Sequence, residues 1–181
     1  MKRFLLALSM CALIALTSVA MSHADGHSNR RKLINSHVIG SIPNITIRGV
    51  ASGAAPWVVE DGRAQLDASG HLKVHVEGLV IGAGALANGD PVPANLVGTV
   101  ATVTTVHAAL TCGGPGGGTP FTITPSDGVP LSANGNFEID AQLTIPDVCD
   151  HPILLIRIGT PAAAGPWIAA ASAKSSSDDD D

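Results

Sequence analysis

Aromatic and basic residues are scarce in this sequence. Its 181 residues include no tyrosine, two tryptophans and three phenylalanines. This scarcity disfavours a sugar-binding site of the kind that stacks its ligand on exposed aromatic rings. Ten Lys and Arg residues stand against 15 Asp and Glu residues, which gives a formal net charge of −5. Because nucleic-acid binding needs a clustered basic surface, nucleic acid is not an expected partner.

The common sequence motifs of enzymes and metal sites are missing as well. The chain contains neither a Gly-x-Ser-x-Gly elbow nor a His-Glu-x-x-His pair. Its glycine-rich run, residues 113–118, continues into Thr119-Pro120 rather than into the Lys and Ser/Thr of a phosphate-binding loop. The sequence therefore predicts no catalytic residues, no metal site and no cofactor.

The first residues have the pattern of a secretory signal peptide. Lys2 and Arg3 precede an apolar run over residues 4–20, and small residues follow at Ser22 and Ala24, where signal peptidase cuts. We interpret residues 1–24 as a cleaved signal peptide and expect a secreted protein, outside the cell or in its envelope, with no membrane span after cleavage. A cut after Ala20 is one alternative. An uncleaved anchor is another, since the run approaches the ~20 residues that span a bilayer.

Three cysteines are present, and we expect Cys11 to leave with the signal peptide. An oxidising compartment favours a disulfide between the remaining two, Cys112 and Cys149. Closing that loop would stabilise the fold by roughly 4 kcal/mol in the chain-entropy treatment. One alternative is a pair of free thiols in a reducing cytosol. Another is a zinc site that adds His107 and His151, but the close ligand pairs of structural zinc sites are not found.

The mature sequence is rich in β-branched residues, glycine and proline, and its hydrophobic pattern is that of β-strands. Residues 71–77 and 137–143 alternate strictly between apolar and polar positions, as half-buried strands do. Residues 153–158 are almost all apolar, which predicts a central strand buried on both faces. About eight short strands with turn signals between them, and no convincing helix, predict an all-β fold. We expect a β-sandwich that is immunoglobulin-like in architecture only.

Further strands and turns are predicted from local composition. Their positions are a first strand at Ile45–Val50, a tight hairpin turn at Asp61-Gly62, one long strand over Leu96–Cys112 with a bulge near Val103, turns at Ser126–Gly128 and Asn134-Gly135, and a last strand at Trp167–Ala171.

The segments suggest one domain with polar ends. Residues 25–37 include a basic stretch and are expected to form a flexible polar leader. Residues 38–172 are expected to form the β-sandwich domain. Residues 173–181 are polar and acidic with nothing to bury, so a disordered tail is predicted there.

Two similar segments each place a tryptophan behind a proline, at residues 53–58 and 163–168. They suggest either a paired aromatic surface or, as we favour, two edge or closing strands that each anchor one tryptophan in the core. Together with the signal peptide, a mid-chain Gly78-Leu79-Val80 and the two spaced cysteines, this layout resembles small exported bacterial β-proteins with no assigned activity. The resemblance implies no catalytic or binding residues.

Histidines and carboxylates are the remaining candidates for chemistry. His71 and His75 share one strand face but lie ~13 Å apart, too far to bind one zinc ion together. Four polar residues alternate near the strand at 137–143, and calcium is one interpretation of them. A solvated sheet face is favoured, because a straight strand spreads its side chains. The four are Asn134, Asn136, Glu138 and Asp140.

These observations predict a non-catalytic binding or structural module, extracellular or at the cell surface, with an unknown partner or ligand. The alternative is a small secreted hydrolase with a loop-borne His/carboxylate site. That alternative requires His107, His151 and an Asp to converge. A third hypothesis, a self-associating surface protein, requires an exposed apolar edge strand.

Overall fold

The computed structural model describes residues 31–113 and 121–173. The predicted signal peptide, residues 25–30 of the predicted leader, the glycine-rich run from residue 114 and the predicted tail from residue 174 lie outside the described residues. No helix in the described part of the chain is long and apolar enough to cross a bilayer. The strands are β1 (Lys32–His37), β2 (Ile39–Gly40), β3 (Thr46–Ile47), β4 (Val50–Ala51), β5 (Trp57–Val58), β6 (Asp61–Asp67), β7 (His71–Glu77), β8 (Val80–Ile81), β9 (Thr105–Gly113), β10 (Thr122–Pro130), β11 (Phe137–Gln142), β12 (Asp150–Ile158) and β13 (Trp167–Ser172).

Two antiparallel sheets form the main layers. One has four strands in the order β1-β6-β7-β11, and the other has five in the order β10-β9-β12-β13-β2. Their facing apolar side chains form one continuous core. The predicted all-β sandwich is thereby confirmed, but the described residues hold thirteen strands rather than eight. Five of the thirteen have only two residues, a length at which no alternation can be recognised.

The longer predicted strands are found where the hydrophobic pattern placed them. β7 buries Leu72, Val74 and Val76 completely or almost so and turns its polar residues outward. β11 pairs beside it in the same sheet. β12 lies between β9 and β13 in the centre of the other sheet, which confirms the prediction of a buried central strand. β13 confirms the last strand.

The leader prediction is wrong for residues 32–37, which form β1. Ile34 is fully buried and stands opposite Leu66 of β6. The chain then continues into the second sheet, where Gly40 of β2 pairs with Ala169. The first stretch of chain therefore closes one side of the sandwich. The composition concealed this strand because its buried positions are occupied by one isoleucine among polar residues.

The predicted first strand, Ile45–Val50, is in fact a small hairpin of β3 and β4. Arg48 and Gly49 both adopt positive φ, at 48° and 79°, as the two central residues of the tightest hairpin turns do. The hairpin lies on the outer face of the five-stranded sheet. There Ile47 and Val50 pack with Leu155 and form a second, smaller core.

Three further local predictions are wrong. Asp61 and Gly62 belong to β6, where the glycine is required by close packing against Val38 and Val59 rather than by a turn. Residues 126–128 lie in β10 at a register shift and not in a turn. The long strand begins only at Thr105. Before it the chain forms successive turns, and the Thr99 hydroxyl donates to the Leu96 carbonyl at 2.8 Å.

Two predictions about the connections between strands are confirmed. The chain turns at Asn134-Gly135, where Gly135 has a φ of 79°. Cys112 near the end of β9 and Cys149 just before β12 are joined by a disulfide. The bond links neighbouring strands of one sheet, and not the two layers as in immunoglobulin domains.

Candidate functional site

A cleft of about 480 Å³ opens between β1 and the corner that Cys149 forms with the first residues of β12. This volume is within the usual range for small-molecule sites. We call it the edge cleft, because β1 is the edge strand of its sheet. Arg31, Lys32, Leu33 and Asn35 line one side, and Cys149, Asp150, His151, Pro152 and Ala173 line the other.

The β1 side of the edge cleft carries two positive side chains. The Arg31 carbonyl accepts the Ala68 amide at 2.9 Å, which fixes the start of the strand. Lys32 Nζ donates to the neutral amide oxygen of Gln65 at 3.4 Å. The ion pairs found among the described residues involve neither Arg31 nor Lys32. Both charges are therefore available to a negatively charged group.

Asn35 contributes a polar atom that the protein leaves without a partner. Its Oδ1 is buried and accepts no hydrogen bond. More than nine-tenths of buried polar groups in proteins are bonded, because an unmade hydrogen bond costs about 1–3 kcal/mol. Because this oxygen has almost no accessible surface, a molecule in the edge cleft does not reach it in this conformation.

The Cys149 side of the edge cleft is held in place by hydrogen bonds from the β3–β4 hairpin. Arg48, in the β3–β4 turn, donates to the carbonyls of Thr111 and His151 and, at 3.4 Å, to that of Asp150. Its guanidinium also lies 5.1 Å from the centre of the Phe121 ring. Partial burial lowers the pKa of Arg48.

The residues that Arg48 contacts flank both halves of the disulfide. Thr111 precedes Cys112, and Asp150 follows Cys149. His151 adopts a φ of 48°, a left-handed conformation that costs a non-glycine residue about 1–2 kcal/mol. The disulfide and Arg48 together hold the corner in this conformation. The His151 side chain is exposed beside the cleft.

The sequence indicated only part of this site. It predicted the disulfide, and His151 appeared only in hypothetical zinc and hydrolase sites. The edge cleft was missed because its other side was assigned to a flexible leader. The sequence carried no periodic signal for β1, because Ile34 is the one buried residue of the strand.

His107 and His151 are not brought together. On β9, His107 stands opposite Arg157 of β12, whereas the residue before His151 stands opposite Gly113. These two positions on β9 are six residues apart, or ~20 Å. The convergence that the hydrolase alternative requires is therefore not found in the described residues.

His107 is a buried neutral histidine instead. Its Nδ1 lies 2.8 Å from the Gly159 carbonyl, which can only accept, so Nδ1 carries the proton. Nε2 is left as a buried acceptor without a partner. Burial lowers the pKa of His107, and the positive charge of Arg157 acts in the same direction.

His71 and His75 lie on the outer face of the four-stranded sheet, each beside a carboxylate of β11. His71 Nε2 is 2.8 Å from Asp140 Oδ1, and His75 Nδ1 is 2.9 Å from Glu138 Oε1. The hydrogen bond to Glu138, followed by that to Glu77, raises the pKa of His75. The hydrogen bond from His71 is the main cause that lowers the pKa of Asp140.

These side chains form the solvated sheet face that the sequence favoured over a calcium site. Glu138 and Asp140 are 79% and 66% exposed. Asn136 lies in the turn before β11, where its Oδ1 accepts the Gly78 amide at 3.0 Å. Within residues 31–113 and 121–173, no group of three or more His, Cys, Asp or Glu side chains could hold a metal ion.

The two tryptophans do not form an aromatic surface. Trp57 on β5 and Trp167 on β13 are each 5% exposed. Trp57 belongs to the main core and Trp167 to the smaller core beneath the β3–β4 hairpin. Each tryptophan is thus anchored in a core, as the favoured interpretation expected, but β13 lies between β12 and β2 and is not an edge strand.

The exposed apolar edge that self-association requires is short. Ile39 of β2 is 66% exposed, and Ile42 beyond it is 63% exposed. However, β2 has only two residues. Very short edge strands offer little template for pairing with another chain.

No protein family, curated protein or solved structure matches this chain. The expected resemblance to small exported bacterial β-proteins thus stays a prediction.

Proposed function

We propose that this protein is exported and acts as a non-catalytic binding module outside the cytoplasm, with the edge cleft as its ligand site. The proposal is supported mainly by Arg31 and Lys32, which form no ion pair with another described residue and face the disulfide-linked side of a cleft of suitable volume. Binding sites in proteins commonly combine a preformed concave surface with a few such polar groups.

Export is supported by two independent features. The first 24 residues have the charge, apolar run and small residues of a signal peptide. Cys112 and Cys149 are bonded, and disulfides persist mainly in oxidising compartments. N-terminal sequencing of protein from the host's medium or envelope should read from Asp25, or from Met21 if the cut follows Ala20. Recovery from the cytosol with residue 1 retained and both thiols free would contradict export.

Capture from the host's own culture supernatant and envelope tests the binding role. The immobilised protein is incubated with these fractions and washed, and the retained molecules are identified by mass spectrometry. The cleft variant is the double substitution Arg31→Gln and Lys32→Gln. The matched control is Arg63→Gln, since Arg63 is also exposed but lies outside the edge cleft.

A ligand of the edge cleft should be retained by the wild-type protein and by the Arg63→Gln control, and lost from the double variant. Retention of the same molecules by all three proteins would contradict the assignment of the edge cleft. Retention of nothing by the wild-type protein would contradict the binding role itself.

A further inference from the structure

We propose that the loop between β12 and β13, residues 159–166, opens in mild acid when His107 gains a proton. The proposal concerns the outer face of the five-stranded sheet and does not depend on the edge cleft. It is supported by the position of His107 beside Arg157, by the hydrogen bonds through which these two side chains hold the loop, and by the unbonded Nε2 of the His107 ring.

His107 and Arg157 are neighbours on the outer face of the five-stranded sheet. Val106 and Ala108, on either side of His107, belong to the main core, so alternation along β9 places His107 on the opposite face. Arg157 of β12 is its cross-strand partner. Since the Cβ atoms of cross-strand partners lie about 5 Å apart, a charge on His107 would form next to the guanidinium.

Both side chains bind carbonyl groups of the 159–166 loop. The His107 Nδ1–H donates to the Gly159 carbonyl at 2.8 Å. Arg157 Nε donates to the Gly165 carbonyl at 2.9 Å, and a terminal nitrogen of the same guanidinium donates to the Ala164 carbonyl at 3.3 Å. Two adjacent side chains of the sheet thus hold the loop at its two ends.

The closed loop suits the neutral His107 ring and not the charged one. A neutral imidazole has one donor and one acceptor, whereas the charged ring has two donors. Nδ1 already carries a proton, so an added proton goes to Nε2, which is buried and has no hydrogen-bond partner. The charged ring would therefore place an unbonded donor in the interior, next to the charge of Arg157. Opening of the loop gives that donor access to water, so acid favours the open loop.

No carboxylate offsets the charge of Arg157 at this position. Burial is the main cause that lowers the pKa of His107, Arg157 adds to it, and the hydrogen bond to Gly159 opposes it. The loop and β13 contain no titratable side chain. The other charged or titratable groups on the elements around His107 are Asp127 of β10, Asp150 and His151 of β12, and Arg48 of the β3–β4 hairpin.

These other groups are exposed or distant. Asp127 is exposed, at the register shift of β10. The remaining three lie at the other end of β9, where Asp150 stands opposite Gly113, ~20 Å from His107 along the strand. Arg157 is therefore the charge that a protonated His107 meets.

Amide hydrogen exchange of the ¹⁵N-labelled protein provides the test. Rates are converted to protection factors, which removes the pH dependence of intrinsic exchange. The reporters are the amides of Gly159 and Gly165, which donate to the carbonyls of Thr105 and Ile158, and the buried Leu79 amide is the reference for global unfolding. Proton uptake confined to the open loop raises the open population by up to about tenfold per pH unit. From pH 7.5 to pH 5 we expect the protection of both reporters to fall at least about tenfold and that of Leu79 to change less than about twofold.

Variants connect the opening to the His107 ring. His107→Gln cannot take up the proton, while its side-chain amide can still donate to the Gly159 carbonyl, so the acid change at the reporters should shrink to less than about twofold. The matched control is His37→Gln, at an exposed histidine of β1, and it should keep the wild-type response.

A second measurement needs no variant and covers the case in which His107→Gln does not fold. In the wild-type protein, the ring resonances of His107 and the amide shifts of Gly159 and Gly165 should titrate with the same midpoint. Unchanged protection of the reporters between the two pH values would overturn the proposal. So would loss of protection in step with Leu79, an acid response that persists in His107→Gln, or separate midpoints for the ring and the loop.

Discussion

At the scale of single residues, two histidines in different sheets respond to their surroundings in opposite ways. Exposed His75 lies between Glu138 and Glu77, whose hydrogen bonds favour the charged imidazole and raise its pKa. Buried His107 has lost its water, which favours the neutral ring and lowers its pKa. The fold thus stabilises the charged form of one and the neutral form of the other.

The pKa of His75 should fall when its partner is neutralised. Glu138→Gln removes the negative charge but keeps a side chain of the same shape. The midpoint of the His75 ring resonances in an NMR titration should lie above the ordinary value of 6.5 in the wild-type protein and move down in the variant. Asp127→Asn on β10 is the control, because it changes the same net charge elsewhere. Equal midpoints in all three proteins would contradict the pairing.

His107 should make the protein less stable in acid. Its folded-state pKa lies below its unfolded value of 6.5, so its contribution is complete above that value and declines as the pH falls toward the folded pKa. Urea unfolding between pH 8 and pH 5 should therefore show a smaller decline for His107→Gln than for the wild-type protein.

His75 provides a control, because its effect on stability in acid should have the opposite sign to that of His107. The raised pKa of His75 stabilises the fold below its unfolded pKa, and this contribution disappears as the pH rises through the folded pKa. His75→Gln should therefore steepen the acid decline, although solvent screening keeps the effect small. An acid decline that is unchanged by His107→Gln would show that His107 is not the group responsible.

At the scale of elements, β1 belongs to the folded domain and not to a leader. Ile34→Ala should destabilise the protein by about 2–5 kcal/mol, because the side chain is fully buried opposite Leu66. Ile39→Ala, at a position 66% exposed, should change the free energy of unfolding by roughly 0.5 kcal/mol or less. Equal effects of the two substitutions on the free energy of unfolding in urea would contradict the assignment of β1 to the folded domain.

The β3–β4 hairpin acts through Arg48 on the corner that carries the disulfide. Arg48→Ala removes hydrogen bonds to the Thr111 and His151 carbonyls and the contact with Phe121. A loss of about 2 kcal/mol is expected, the scale of a hydrogen bond to a charged group. Arg63→Ala, at an exposed arginine, should cost roughly 0.5 kcal/mol or less. An Arg48→Ala variant as stable as the Arg63→Ala control would contradict the role of this hairpin.

Elements were predictable where they were long enough to show a period. β7 and β11 alternate over six or seven residues, and residues 153–158 of β12 are almost all apolar, so the pattern of buried positions was enough to predict these strands. Two-residue strands such as β2 and β5 exist only because tertiary contacts align them. The edge cleft lies between a strand hidden by its polar composition and a corner shaped by a distant arginine, and neither leaves a periodic signal.

At the scale of the whole molecule, one covalent link supports a two-layer fold. The bond between Cys112 and Cys149 closes a loop with a sequence separation of 37. Reduction should lower the free energy of unfolding by roughly 4 kcal/mol in the chain-entropy treatment. Intact mass before and after alkylation establishes the native state of the thiols, and urea unfolding with and without reductant measures the loss. An unfolding midpoint that does not change when reductant is added would contradict the stabilising contribution of the disulfide.

The central claim is that the sandwich carries a ligand site at its β1 edge, and a crystal structure of the protein grown with a molecule captured from the host's fractions tests it most directly. The account predicts that molecule in the edge cleft, within hydrogen-bond distance of Arg31 or Lys32. The molecule bound only elsewhere, or a cleft closed by direct contact of β1 with the Cys149 corner, would contradict it.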